Sequence, residues 1–321
     1  MTMMQTPTPA DARSGQTGEA SGLGNLLEAL ISNARNQTAV NEALTAHLIA
    51  LGERLARLER IAAAAPVYLG AHTALARVLQ RYKMYVDTRD LSLSPHLLTD
   101  GYWENWITQA WQRLLRPGMH VVDVGANVGY YALIAADRVG PEGFVWAVEP
   151  DPRNAQLLRW NLEVNGFARR SAVIEAAALD RHRPIRFARL ATHFGSRRVL
   201  AGSADAPADG EQIVVEAVAL DDCLGEQAEI HLMKIDAEGS EPYIWDGMQK
   251  LIERNRAIHL VMEFDPVQIR GQGRDPGAFL EAVLRAGFVL EAIATDGSFR
   301  SCTPEELLAG HWQMLHLARP S

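Results

Sequence analysis

The chain has 321 residues, a formal net charge of −8 and 48% hydrophobic residues, the balance of a globular protein with room for one large domain and extensions. Its acidity works against broad electrostatic attachment to nucleic acid or an anionic membrane, and two cysteines, Cys223 and Cys302, exclude a disulfide framework or a Cys-rich metal site. No basic-then-apolar leader opens the chain and no apolar run reaches the roughly 18 residues that span a bilayer, so a cytoplasmic protein without a transmembrane segment is expected.

Residues 1–22 are rich in Thr, Pro, Gly, Ser and Ala and bury too little to order themselves, which predicts a disordered tail. From Leu23 the pattern changes. Leu23, Leu27, Leu30, Ala34, Gln37, Asn41, Leu44, Leu48, Leu51, Leu55, Leu58 and Ala62 follow one another at alternating steps of four and three. That is a heptad seam, and it predicts a coiled-coil helix over 23–65 that joins copies of the chain into a homo-oligomer. The polar pair Gln37 and Asn41 weakens the middle while fixing register, and the Leu-dominated seam leaves the number of strands open. The competing reading is a helix packed on its own catalytic domain. Pro66 ends the helix, and 66–118 reads as a helical connector, with helices over 73–82 and 103–115.

From 119 to 321 strands and helices alternate. Strands are predicted at 120–124, 143–149, 172–177, 185–190, 213–220, 230–236, 258–264, 288–294 and 312–317, with helices over 130–138, 154–165, 242–255 and 278–286. Repeated β-α-β units with apolar strands predict an α/β fold with a doubly wound, Rossmann-like parallel sheet. Ligands of such sheets sit at the carboxyl ends of the strands. The first strand ends in Asp123-Val-Gly125-Ala-Asn127-Val-Gly129, where glycines admit a ligand close to the backbone and the next helix offers free N–H groups. A nicotinamide loop wants G-x-G-x-x-G, and this chain has G-x-N-x-G. The second strand ends in Glu149-Pro150-Asp151, where an acid suits the two hydroxyls of a ribose. Small residues at 176–178, Ala178 among them, leave room for a flat base. Together these describe the nucleoside pocket of a methyltransferase.

The second half of the sheet adds a more specific string, Lys234-Ile-Asp236-Ala-Glu238-Gly-Ser-Glu241. With Val122–Tyr131, Val148–Asn154, Asn161–Asn165 and Met262-Glu263-Phe264, it makes the chain resemble the FkbM family of methyltransferases over about residues 100–295. Trp103-Glu104 resembles the family's aromatic–Glu lead-in. The heptad segment lies outside the match and inherits nothing from it. The resemblance implies a class I methyltransferase sheet, S-adenosylmethionine as cofactor, and a hydroxyl acceptor on a sugar, glycan or other natural product. It places Asp123, Gly125, Asn127 and Gly129 at the methionine end, Glu149 on the ribose and Glu104 near the methionine amino group.

An alcohol is a poor nucleophile while protonated, so the acceptor side calls for a base. Asp236 ends the fourth strand, Glu238 and Glu241 follow on the turn, and Glu263 ends the fifth. Hard oxygens of this kind also suit a divalent cation, though no metal site is assigned. Glu238 and Glu241 have a plainer role as acids at the start of a helix. His193, in a polar loop, has the pKa range of a base, while His231 and His259 begin their strands and fall at the far end. Two other functions compete: a nicotinamide-dependent oxidoreductase, and a non-catalytic assembly protein carrying a methyltransferase-like domain on a coiled coil.

Overall fold

The computed structural model describes residues 13–63, 65–190, 198–199, 210–225 and 229–320, in two units, Met1–Ala63 and Ala64–Ser321. The first holds α1 (Arg13–Ala63), a single helix of 51 residues. Residues 13–22, expected to belong to a disordered tail, are its first turns, because extending an existing helix costs far less than nucleating one. Residues 1–12 lie outside the described residues. Among the described residues no helix is long and apolar enough to cross a membrane.

The second unit opens with a correction. The segment expected to be a helical connector is largely an antiparallel sheet of β1 (Val67–Gly70), β2 (Thr73–Val78) and β3 (Tyr82–Asp87), and the helix expected over 73–82 does not form. Its hairpins turn through Ala71 and His72 (φ 47° and 61°) and through Leu79 and Gln80 (φ 51° and 54°). Paired left-handed residues are what tight hairpins require, usually as Asn-Gly or Asp-Gly. Ordinary residues in those places hide the turns from a sequence reading. Two short helices follow, α2 (Ser94–Thr99) and α3 (Asn105–Leu114).

The main sheet starts with β4 (His120–Val124), α4 (Tyr130–Val139), β5 (Phe144–Val148), α5 (Pro152–Val164) and β6 (Ser171–Ile174). A side sheet follows, made of β7 (Ala177–Ala178), β8 (Arg183–Leu190), β9 (Arg198–Val199) and β10 (Gly210–Val218) in the order β7-β10-β8-β9. After α6 (Leu220–Cys223) the chain returns as β11 (Leu232–Ile235), α7 (Glu241–Asp246), α8 (Gln249–Arg254) and β12 (His259–Phe264). It ends with α9 (Pro266–Gly271), α10 (Pro276–Arg285), β13 (Val289–Ile293), β14 (Phe299–Ser301), α11 (Pro304–Ala309) and β15 (Gln313–Ala318). The one helix expected over 242–255 is two, broken at Gly247, where a Cβ would overlap the carbonyl oxygen of Leu179.

The eight strands of the main sheet lie in the order β14-β13-β15-β12-β11-β4-β5-β6. Those from β12 to β6 are parallel, whereas β15, β13 and β14 join antiparallel, so the sheet is mixed rather than wholly parallel. Alternation along β4 sends Val121 into one core layer, under α3 and α4, and Val122 and Val124 into the other, under α7, α8 and α10. Order reverses between β4 and β11, which opens a crevice at the carboxyl ends of these two strands.

The small N-terminal sheet is tied to this frame by asparagines on α5. Asn161 accepts from the Tyr85 N–H (2.6 Å) and donates to the carbonyls of Tyr85 (3.0 Å) and Val128 (2.8 Å). Asn165 does the same for Lys83, so two amides serve the edge of β3 as a neighbouring strand would. Asn161 is fully buried. Asn161→Ala would strand an N–H and two carbonyls and is expected to cost about 3 kcal/mol, read as a lower midpoint in urea unfolding; an unchanged midpoint would show that water replaces the amide.

Candidate functional site

The loop after β4 is shaped by close contact as much as by any ligand. Gly125 (φ 75°) and Ala126 both donate their N–H to the Val148 carbonyl at 3.0 Å. A Cβ on Gly125 would overlap the carbonyl oxygen of Asp236, so only glycine lets the ends of β4 and β11 approach this far. Gly129 (φ 95°) stands before α4 with Leu158 where its side chain would be. Asn127 is left-handed without being glycine (φ 52°), and its side-chain oxygen accepts from Asn154 at 2.8 Å. Glu149 closes the loop from β5, accepting the N–H of Asn127 on one oxygen and that of Asp151 on the other, each at 2.9 Å. Asp151 in turn caps α5 and takes Arg189 of β8 as an ion pair.

Two adjoining cavities open above these strand ends. The first, about 560 Å³, is apolar along Val148, Ala176, Ala177, Ala178 and Phe187, with Glu149 and Ser240 among its polar residues. The second, about 850 Å³, combines the rings of Trp103, Tyr130, Tyr131 and Trp312 with Glu104, Lys234 and Glu263. Gly125, Asn127, Asp236 and Glu238 line both and form the passage between them.

Lys234 is the electrostatic centre of the second cavity. Its side chain is almost wholly buried, its Nζ lies 2.6 Å from Asp236 Oδ2, and it stands 4.5 Å from the centroid of the Tyr131 ring. Burial works against its charge, but Asp236, Asp123 and Glu104 outweigh burial and hold the ammonium above its ordinary range. The carboxyls respond in the opposite sense. Burial and then repulsion from Asp236 raise Glu104 to about 7, against the pull of Lys234 and of the Tyr131 hydroxyl that donates to it at 2.9 Å. Burial raises Asp123 to about 6, and both its oxygens are buried without a hydrogen bond.

The turn after β11 gathers the remaining acids. Glu238 is left-handed (φ 53°) and Gly239 follows at φ 89°, packed so closely on the Gln268 backbone that a side chain would not fit. Holding a glutamate in this region costs about 1–2 kcal/mol, and neighbours bear it. Glu263 accepts the Glu238 N–H at 3.2 Å on one oxygen and the Trp312 indole N–H at 2.6 Å on the other. Glu241 accepts the Ala237 N–H at 2.9 Å. Burial, with Asp236 next, pushes Glu238 to about 8. Burial likewise raises Glu241 to about 7 and carries Glu263 well above the carboxylate range, with Asp236, Glu241 and Glu238 adding to it. Among the described residues no three His, Cys, Asp or Glu side chains converge as a metal-binding set.

These raised values fix a pH dependence. Asp123, Glu104, Glu241, Glu238 and Glu263 bind protons more tightly folded than unfolded, so the native state carries the excess. Their contribution is complete below the ordinary carboxylate range and is lost as pH rises toward about 8. The protein without ligands is expected to melt at a lower temperature near pH 8.5 than near pH 5.5. A flat or rising profile over that interval would mean that these groups are already ionised in mild acid.

Of the residues singled out from sequence, Gly125, Asn127, Glu149, Pro150 and Ala178 line the first cavity, and Glu104, Asp236, Glu238 and Glu263 line the second. Asp123 and Gly129 are on neither wall: Asp123 is buried in β4, facing the layer that carries α4, and Gly129 is taken up by packing. His193 lies outside the described residues. His231 and His259 are at the amino ends of β11 and β12, where His231 Nδ1 accepts the His120 N–H at 3.0 Å and His259 Nδ1 meets His316 Nε2 at 2.9 Å. Lys234, Ser240 and Tyr131 stand inside the stretches that carry the family resemblance but have no role assigned from sequence, and Trp312 lies outside them; Lys234 carried a further signal, a lone cation inside an otherwise apolar strand.

A profile described as the methyltransferase FkbM domain matches residues 123–290. The chain is 47% identical over 49 residues to a protein-L-isoaspartate O-methyltransferase of Methanothrix thermoacetophila, covering 15% of this chain and 23% of that protein. It is 42% identical over 67 residues to the enzyme of that name from Hyperthermus butylicus, covering 19% and 28%. The chain thus spans about a quarter of the length of these curated relatives. Among solved structures it is similar to a SAM-dependent O-methyltransferase from Thermotoga maritima, with a TM-score of 0.38 and 13% identity over 68% of this chain and 66% of that one. A putative rRNA-methylase from Clostridium thermocellum gives a TM-score of 0.41 and 9% identity over 68% and 95%.

Proposed function

The chain belongs to the FkbM methyltransferase family, whose methyl donor is S-adenosylmethionine, and on that premise we propose that it methylates a hydroxyl group of a sugar, a glycan or a related natural product. The observation that carries this reading is the second cavity, where Trp103, Tyr130 and Trp312 share the walls with Glu104, Asp236 and Glu238. Aromatic faces cover the apolar faces of a sugar ring, and carboxylates accept hydrogen bonds from its hydroxyls.

The residues present fit the donor. Ser240 keeps a buried hydroxyl without a partner on the wall of the first cavity, beside an apolar run of alanines and Phe187 that suits a flat base. Glu149, held by the N–H groups of Asn127 and Asp151, stands on the wall of the first cavity, where its carboxylate suits a ribose hydroxyl. Glu104 and Asp236 line the second cavity with carboxyl groups that suit an ammonium group. S-adenosylmethionine, when bound, supplies an electrophilic methyl group on a sulfonium. Glu238 takes the acceptor's hydroxyl proton, and its raised pKa makes it a stronger base than an ordinary carboxylate. Asp236, held by Lys234, orients the acceptor. Glu263, with both oxygens engaged and little exposure, positions Glu238 and Trp312 rather than receiving the proton. The free thiols of Cys223 and Cys302 accord with a cytoplasmic setting, and the net charge of −8 accords with an acceptor other than nucleic acid.

The test starts with calorimetric titration of S-adenosylhomocysteine into the wild type and into a folded Asp123→Ala/Glu149→Ala variant. Binding to the first and not the second secures the donor half of the site. A screen of labelled methyl transfer to glycan and polyol acceptors should then yield a base-stable ether. Transfer only to amines would replace the hydroxyl reading, and no binding by the wild type would favour an assembly protein.

A further inference from the structure

The helix α1 lies outside the segment that matches the methyltransferase family, and its seam is the most regular pattern in the chain. Leu23, Leu27, Leu30, Leu44, Leu48, Leu51, Leu55 and Leu58 are each more than half exposed. A helix of 51 residues extends about 76 Å, and this stripe follows it for most of that length. Steps of three and four assign Leu27, Ala34, Asn41, Leu48 and Leu55 to the a positions and Leu23, Leu30, Gln37, Leu44, Leu51 and Leu58 to the d positions. We infer that this face is covered by α1 of a second copy of the chain, running parallel and in register as a two-stranded coiled coil.

Three features select that occupant. First, Asn41 stands at an a position, where an amide both donates and accepts, so two copies satisfy each other across the axis when they are parallel and in register. Second, the flanking positions match in this arrangement. Each g residue meets the e residue five places on in the partner helix, which sets Leu26 against Ile31, an apolar pair. In the antiparallel arrangement that aligns the polar layers, Leu26 would face Arg54 instead. Third, parallel pairing stacks the strong half of the seam, Leu44 to Leu58, on itself, whereas antiparallel pairing sets Leu44 against Ala34. A membrane surface is a poorer occupant, since α1 carries five arginines and five glutamates and has no basic face.

The test uses the full chain in a Cys223→Ser/Cys302→Ser background. Sedimentation equilibrium should give twice the chain mass. Leu27→Cys and Leu55→Cys should each form covalent dimers under mild oxidation, whereas Ile49→Cys, on the outer face, should not. A cross-link that appears only when Leu27→Cys chains are mixed with Leu51→Cys chains, the positions that antiparallel alignment of the polar layers sets opposite each other, would mean antiparallel pairing and overturn the inference. So would a monomer at tens of micromolar, a trimer or tetramer, or a monomer that binds lipid vesicles. Asn41→Leu offers a second reading that does not depend on cysteine: it should raise the melting temperature while giving a mixture of oligomers. A single dimer in that variant would deny Asn41 the setting of strand number and register.

Discussion

Glu238→Gln should slow methyl transfer by about 10²–10⁴-fold, the range for loss of a positioned general base, while S-adenosylhomocysteine binding is retained. The substitution keeps the shape of the side chain and the left-handed turn at residue 238, removing only its ability to take a proton. In the wild type, single-turnover rates should climb as pH rises through about 8, because the active form is the ionised one and burial with Asp236 nearby holds the proton on until then. The glutamine variant should lose that limb. Its thermal stability near pH 8 should be equal to or above that of the wild type, since one member of the repelling set with Asp236 and Glu241 has been neutralised. A variant with full rate and an unchanged pH limb would place the proton on another group.

Lys234→Met should have the largest effect on stability, about 3–5 kcal/mol, the cost of leaving a buried charge partner uncompensated. The length of the side chain is kept; the ammonium that serves Asp236, Asp123 and Glu104 is lost, along with its contact with the Tyr131 ring. The loss should be greatest near pH 8 and smaller near pH 5.5, where the stranded carboxyls take up protons instead. Urea unfolding at both pH values measures the difference. Equal losses at the two would make the role of Lys234 one of packing rather than charge.

Both predictions rest on residues whose importance was unequally visible beforehand. The loop from Asp123 to Gly129, Glu149 and the Lys234–Glu241 string could be read directly, because glycine spacing and acids at strand ends are local signals of a ligand edge in an α/β sheet. Glu238 was visible as an acid on a turn, with a capping role equally in view. Its left-handed backbone, its contact with Glu263 and its place between two cavities come from β12, 25 residues later in the chain. Trp312 and Tyr131 were invisible for the same reason, since each is an ordinary aromatic until the fold sets it beside Glu263 or Glu104.

The sequence by itself determined the alternation of strands and helices, the edge of the sheet that carries the site, the family, and the heptad period of α1. Each of these depends on periodicity or on spacing within one segment. Tertiary structure decided the rest. It made the 66–118 region largely a sheet, by hairpins whose left-handed residues include no glycine at the turn centres and by asparagines on α5 that complete the edge of β3. It buried Asp123 beneath the loop rather than on the wall, because alternation along β4 points it into the layer that carries α4. It also drew six carboxyl groups and one ammonium together from four separate segments, and burial in that shared space, more than any one neighbour, raises the pKa values of Glu104, Asp123, Glu238, Glu241 and Glu263 while working against the charge of Lys234.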